Sequence, residues 1–227
     1  MSRNGGTRTR AVKRPVVVLV GEDSNDRRCL RTLLEEHCPD MRGRLVEINP
    51  SMKFWAAGNE RLDERVDRLR KLVNARAARE GAEVACVFVH EDLDRADSSE
   101  YPVLRERVEK AMNKALGSAH YVLAVWETEA WLLLFPDALA AFVANWQLPA
   151  RYRGRDTGRL SDPKRILMNE VSRSGRRYRE SDAPEIFEKA REMRLLAHPV
   201  GSNRSWTQLC GDATRCCSEH LRQPAHP

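Results

Sequence analysis

The chain has no uninterrupted apolar stretch of the roughly 18–20 residues that a membrane span needs. Residues 121–143 come nearest, but Glu127, Glu129, Pro136 and Asp137 break them, so no span is expected. The first fourteen residues contain no acid and no apolar core followed by small residues. A secretory signal is therefore not expected, and a soluble, cytoplasmic protein is. There is no G-x-x-x-x-G-K-[ST] phosphate loop, so any nucleotide-driven step has to come from another protein. The six cysteines, Cys29, Cys38, Cys86, Cys210, Cys216 and Cys217, form no C-x-x-C pair. That removes the strong zinc signal and leaves only the loose group Cys210, Cys216, Cys217 and His220 as a zinc candidate. Cys86 lies in an apolar run and reads as a buried free thiol. A secreted disulfide scaffold is not expected at this length.

What is present is enough for a core: of 227 residues, 41% are hydrophobic and 32% charged, which excludes disorder over the whole length. The net charge of +6 is unevenly spread. Residues 1–14 hold five basic side chains and no acid, and residues 151–179 hold ten basic and three acidic ones, leaving the remainder net acidic. An acidic body with basic segments attached suits a polyanion meeting metal-binding carboxylates, although solvated Arg-rich loops would look the same.

Hydrophobic patterning predicts strands at 15–20, 44–49, 82–89 and 121–126. Between them fall helical patterns: one beginning after Asp23-Ser24-Asn25-Asp26 and ending before Pro39, one over 60–80 stopped by Gly81, and one over 101–116. An apolar helix over 130–142 is interrupted near Pro136. This alternation argues for an α/β fold: an open, mainly parallel sheet of four or more strands with helices on both faces. We expect a basic tail over 1–14, an α/β core over 15–145 and a basic, mostly helical extension over 146–227. That extension should hold a polar linker at 145–160 and helices near 163–173, 183–195 and 205–219.

In an open parallel sheet, ligands bind beyond the carboxyl ends of the strands. The first strand ends at Glu22 with Asp26 four residues on, the third leads to Asp92 and Asp94, and the fourth to Glu127 and Glu129. Each acid alone is readily a cap or a solvated loop residue. Gathered at one edge, they would repel unless protonated or bound to a cation. Hard oxygen ligands favour Mg²⁺ or Mn²⁺. Asp92 and Asp94, alternate residues on an extended chain, would share a face and reach one ion. A single site requires Glu22 within about 12 Å of Asp92.

Glu22 and Asp26, followed by Asp92 and Asp94 after an apolar strand, resemble the TOPRIM signature shared by topoisomerases, primases and overcoming-lysogenization-defect nucleases. The stretch Glu127-Thr128-Glu129-Ala130-Trp131-Leu132-Leu133-Leu134 is similar to the E-x-W-L-L segment of small bacterial TOPRIM-like proteins and of RloB-type phage-defence proteins. Asp162-Pro163-Lys164 and Asn203-Arg204-Ser205-Trp206 resemble C-terminal features of the former group. The family's usual glycine after the first Glu is Asp23 here. The resemblance spans most of residues 15–210 and implies a TOPRIM-like, Mg²⁺- or Mn²⁺-dependent nuclease of antiviral defence, working with a partner ATPase and open to self-association. Asp92 and Asp94 would hold one or two ions, Asp26 would join them, Glu22 would be ligand or general base, and Glu127 or Glu129 would complete the shell. Lys164, or an arginine of the basic segment, would neutralise charge on the phosphate. Arg151, Arg153, Arg155, Arg159, Arg176 and Arg177 are the candidate nucleic-acid contacts.

Two other readings compete. A non-catalytic module of the same fold would bind nucleic acid or a partner; Trp55, Trp126, Trp131, Trp146 and Trp206 offer stacking surfaces, with Trp126 and Trp131 expected in the core. A response-regulator receiver shares the acidic pair after strand one, but no Lys follows a fifth strand.

Overall fold

The computed structural model describes residues 14–50, 52–173 and 175–222. Its centre is a four-stranded sheet in the order β2-β1-β3-β4, every neighbouring pair parallel. The strands are β1 (Pro15–Val20), β2 (Leu45–Ile48), β3 (Glu83–Asp92) and β4 (Ala119–Ala124). Helices α1 (Ser24–His37), α2 (Asn59–Arg79) and α3 (Tyr101–Leu116) make the crossovers. Chain direction across the sheet reverses between β1, whose crossover leads outward to β2, and β3, which lies on its other side.

Because side chains alternate along a strand, each strand feeds two cores. Val18, Val20, Val87 and Val89 pack with Leu62, Val66 and Leu69 of α2 and with Val108 and Met112 of α3. On the other face Val17, Leu19, Phe88 and Val122 pack with Leu30, Leu33 and Leu34 of α1. The α/β expectation with helices on both faces therefore holds.

The interruption near Pro136 is real: α4 (Thr128–Leu132) and α5 (Pro136–Phe142) are separate helices. Beyond them come α6 (Pro163–Ile166), α7 (Ala183–Glu192) and α8 (Arg204–Cys216). The expected helix over 163–173 is a short α-helix continued by a π-helical turn, and α7 stops at Glu192. Helices α7 and α8 pack against α1, joined by an aromatic cluster. Trp206 lies 5.1 Å from Phe135, 6.0 Å from Trp131 and 6.4 Å, stacked, from Phe187. Trp131, Trp146 and Trp206 are all buried and Trp126 is half-buried.

Other expectations need correction. Strand three runs to Asp92, not Val89, because its pairing with β4 continues through His90↔Val122 to Asp92↔Ala124. Strand four occupies 119–124 rather than 121–126. Residues 145–160 are not a plain polar linker: Trp146 is fully buried, its indole donating to the Arg176 carbonyl, and Thr157 and Gly158 are buried. The bulk of the basic tail, residues 1–13, lies outside the described residues; Arg14 donates to the Gly43 carbonyl.

The cysteines depart furthest. Cys86 is not a free thiol but bonded to Cys216, and Cys38 is bonded to Cys217. The packing of α8 across α1 and the sheet brings together sulfurs 130 and 179 residues apart in sequence. The zinc group proposed from sequence is scattered by the same packing. Cys210 meets His37 at 3.1 Å, and His220 meets Ser118 at 3.0 Å. Among the described residues no helix is long and apolar enough to cross a membrane.

Gly201 shows how tightly the 154–158 turn is held. Its φ is +113°, and a Cβ there would collide with the Arg155 carbonyl, which accepts the Ser202 N–H at 3.1 Å. Gly201→Ala is expected to cost about 2–3 kcal/mol through strain and lost pairing. Gly211→Ala, in α8 with open space at its Cβ, should stabilise by about 0.5–1 kcal/mol. Urea denaturation of the two variants checks the contrast.

Candidate metal and phosphate site

The site forms beyond the carboxyl ends of β1 and β3, where the direction of strand progression reverses and the crossovers leave a crevice. A cavity of about 260 Å³ opens there, lined by Glu22, Asp26, Asp92 and Glu129 together with Thr128 and Lys164.

Local structure places each acid. Asp23 caps α1: its Oδ1 accepts the Asp26 N–H at 2.9 Å, and Asp26 Oδ2 accepts the Asp23 N–H at 3.3 Å. This capping box, with Asp23 as the N-cap, fixes Asp26 at the helix entrance. Glu22, between strand and cap, reaches across the crevice, and its Oε1 accepts the Asp92 N–H at 3.4 Å. Asp92 is the last residue of β3. His90, two residues earlier on the same face and buried, has its ring nitrogens 3.9 Å from Asp26 Oδ2 and 3.7 Å from Asp92 Oδ1. Glu129 enters from the first turn of α4.

The electrostatics are those of crowded carboxylates. Burial pushes the Asp92 carboxyl well above its ordinary range, and Asp26, Glu129, Glu22 and Glu127 push it further. Its Oδ1 is buried without a hydrogen-bond partner. Burial, then the charge of Glu127, raises Glu129 to about 7 against the opposing pull of Lys164 and the Tyr178 hydroxyl, which donates to Glu129 Oε1 at 2.9 Å. Glu127 is raised by burial and restrained by Lys164, whose Nζ sits 3.1 Å from Glu127 Oε2 and 2.8 Å from Glu180 Oε1. Burial opposes the Lys164 charge, but Glu180, Glu129 and Glu127 outweigh it and hold its pKa up.

Asp94 stands apart from this group. It lies two residues past β3 with φ +57°, its N–H donating to the Trp126 carbonyl at 2.8 Å, and it does not line the cavity. The alternation expected from an extended Asp92-Leu93-Asp94 stops where the strand stops. Lys53 instead bridges Asp94 and Glu22, at 3.5 and 3.4 Å. Trp126 and Asp162 also hold positive φ around this edge, +62° and +50°. A bulky Trp in that region is strained, a feature that clusters at functional sites.

The six arginines lie elsewhere, and none lines the cavity. Arg151 pairs with Glu170, Arg153 with Asp137 at 3.1 Å, Arg159 with Asp156 at 3.3 Å, and Arg176 with Asp182. Arg155 and Arg177 donate to the carbonyls of Arg151 and Met168.

Sequence reasoning missed His90, Glu91, Lys53 and Tyr178. Ending strand three at Val89 hid the first two, and the others come from distant loops with no local signal. Glu91, buried on the opposite face from Asp92, accepts the Phe54 N–H at 2.7 Å and the Tyr121 hydroxyl. Burial raises it to about 7, with Glu22 adding, although those hydrogen bonds work the other way.

No family model, curated protein or solved structure matches the chain.

The raised carboxyls make stability pH-dependent with a definite sign. In the unfolded chain Glu91 and Glu129 lose their protons near 4.5, but in the fold they keep them until about 7. Between those values the unfolded state binds fewer protons, so stability present below pH 4.5 is lost as pH rises through 7. Glu129 accounts for about 3 kcal/mol of this loss, at 1.36 kcal/mol per unit. Glu129→Gln in EDTA is therefore expected to equal wild type at pH 4.5 and exceed it at pH 8. Urea midpoints at the two pH values measure the difference.

Proposed function

We propose that the protein is a divalent-metal-dependent phosphodiesterase acting on DNA or RNA, of TOPRIM-like type, and that it works in antiviral defence beside a partner ATPase. The observation that carries this reading is Asp92: a carboxylate whose Oδ1 is buried and unpartnered, ringed by Asp26, Glu129, Glu22 and Glu127 where the strand progression reverses. A protein gains nothing by crowding acids in this way unless something positive joins them.

The donor set fits a hard cation. Asp26, Asp92, Glu22 and Glu129 present carboxylate oxygens to the cavity, which favours Mg²⁺ or Mn²⁺ over softer metals. The Cys29 thiol also lines it, but burial and the nearby carboxylates raise its pKa and keep it protonated. When bound, such an ion supplies Lewis acidity toward a phosphate oxygen and lowers the pKa of a ligated water. Around it, the buried His90 ring lies between Asp26 and Asp92, 3.9 and 3.7 Å from their oxygens, with no hydrogen bond to either. Glu22, one end of the Lys53 bridge, is the carboxylate placed to accept a proton from an incoming water. Lys164 lines the cavity with its ammonium held between Glu127 and the exposed Glu180. Exchanging Glu180 for a phosphate oxygen would set that charge against the substrate. Asp94 acts through Lys53, as a positioning residue.

The test is incubation of supercoiled plasmid and of RNA with the full chain, with Mg²⁺, Mn²⁺ or EDTA, alone and with a candidate ATPase. Metal-dependent nicking or degradation is expected. Failure of every combination, together with metal-independent melting, would leave the non-catalytic binding module in its place.

The basic segment has its own readout. If Arg153, Arg155 and Arg159 touch backbone phosphates, replacing all three with Gln lowers the slope of log affinity against log salt by about 0.9 per lost contact on duplex DNA. An unchanged slope assigns them to their present partners, Asp137, Asp156 and the Arg151 carbonyl.

A further inference from the structure

A second group of metal-ligating side chains lies at the other end of β3, away from the acidic cavity. Cys86 is in the amino-terminal half of β3, His120 is the second residue of β4, and Cys216 is the last residue of α8. The Cys86 and Cys216 sulfurs and one ring nitrogen of His120 all lie within 4.8 Å of one another, and all three residues are buried. His120 is the telling member. It is 5% exposed and stacked on Phe88 at 4.6 Å, yet neither ring nitrogen has a hydrogen-bond partner. Burying an unsatisfied imidazole is costly, and a native core does not normally leave one without a use.

Asp212, four residues before Cys216 on α8, brings its Oδ1 to 3.7 Å from His120 Nδ1. Arg105 at 2.7 Å and Arg215 at 3.1 Å hold that carboxylate in place. At 3.7 Å the carboxylate is short of a hydrogen bond to Nδ1; closing that gap would give the arrangement by which proteins orient a metal-bound histidine. A surface cavity lined by Glu109, Asn113, Ser118, His120 and His220 reaches the imidazole from solvent, while the two sulfurs lie buried behind it.

We propose that Cys86, Cys216 and His120 form a redox-gated site for Zn²⁺, with Asp212 as the outer partner of His120. In the oxidised protein the two sulfurs are joined. A dithiol reductant delivers two electrons and two protons, breaks that bond and forms its own disulfide. Zinc then displaces the two thiol protons as two Zn–S bonds form, and the imidazole supplies the third ligand. Water takes the fourth position. Either state fastens α8 to the sheet, so the site keeps one anchor in oxidising and reducing conditions alike. The neighbouring group of Cys38, Cys217 and Asp40 is the weaker candidate, since Asp40 is exposed and no imidazole joins it.

The test uses the full chain, reduced with a phosphine under argon and titrated with Co²⁺ as the visible substitute for zinc. One equivalent is expected to give thiolate-to-cobalt charge transfer and the intense d–d bands of a tetrahedral ion, bleached by Zn²⁺. Protein that has never been reduced should show none. The bands persist in Cys38→Ser and are lost in His120→Asn. Unaltered protein supplies a check that survives a misfolded variant. Bound zinc should slow alkylation of Cys86 and Cys216 at least tenfold against the reduced, metal-free chain and leave the rate at Cys38 unchanged. Absence of the bands in reduced wild type, their survival in His120→Asn, or protection falling on Cys38 instead would overturn the assignment. Nuclease activity enters none of these readouts.

Discussion

Asp92→Asn is expected to abolish the stabilisation of the protein by Mg²⁺ or Mn²⁺ while leaving the metal-free protein as stable as wild type or more so. The reason lies in the surroundings of Asp92. Burial and four neighbouring carboxylates oppose its charge, so a neutral amide of the same shape removes repulsion at no cost in packing. A cation reverses the balance, because ligation to the folded state alone raises stability by about 2.7 kcal/mol at a hundred times Kd. For a chain of this length that is a rise in Tm of about 5–10 °C. The variant should lose this rise, and metal-dependent cleavage should fall by about 10³-fold or more, with nucleic-acid binding largely kept. Thermal melts with and without metal, beside the nicking assay, separate the readings. A catalytic site loses both responses together, a binding module never had either, and a receiver would instead show metal-dependent labelling of one Asp by a small phosphodonor.

Reduction of the two disulfides is expected to cause the largest loss of stability of any single treatment. The Cys38–Cys217 and Cys86–Cys216 bonds close loops of 179 and 130 residues. On chain-entropy grounds either one alone restrains the unfolded ensemble by about 5 kcal/mol, and the second adds less because the two loops overlap. Cys38→Ser, which loses only that smaller increment of about 4 kcal/mol, should lower Tm by about 8–16 °C under oxidising conditions, and a reductant with EDTA should lower it further in wild type. The variant still has Cys86–Cys216, so its residual sensitivity to reductant measures that bond. A Cys38→Ser protein that melts with wild type would show that α8 is held by Trp206 and its aromatic neighbours rather than by the bond.

The sheet was legible from residue patterns because local physics decides it. Val16 to Val20 can be apolar on both sides only in a strand covered by helices, and the stripe Leu62, Val66, Leu69, Val73 can only be one face of a helix. Acids that follow such strands must lie at one edge of a parallel sheet, so the neighbourhood of Glu22, Asp26 and Asp92 follows from topology without coordinates. The finer arrangement does not follow. Whether Asp92 or Asp94 enters the cavity depends on where β3 stops pairing with β4, and that is settled by hydrogen bonds to a strand thirty residues away. Lys53, Tyr178 and Glu180 reach the site from loops whose sequences carry no periodicity, so only their packing reveals them. The cysteines are the extreme case. Nothing in the spacing of Cys38, Cys86, Cys216 and Cys217 ties them together, because a sulfur's partner is set by how helices cross. The amino-acid pattern alone determined the strands, the helices and the edge where the acids gather. Which side chains meet there, and which sulfurs join, was decided by the docking of α7 and α8 onto α1, through contacts between residues too far apart in sequence for any local rule to relate.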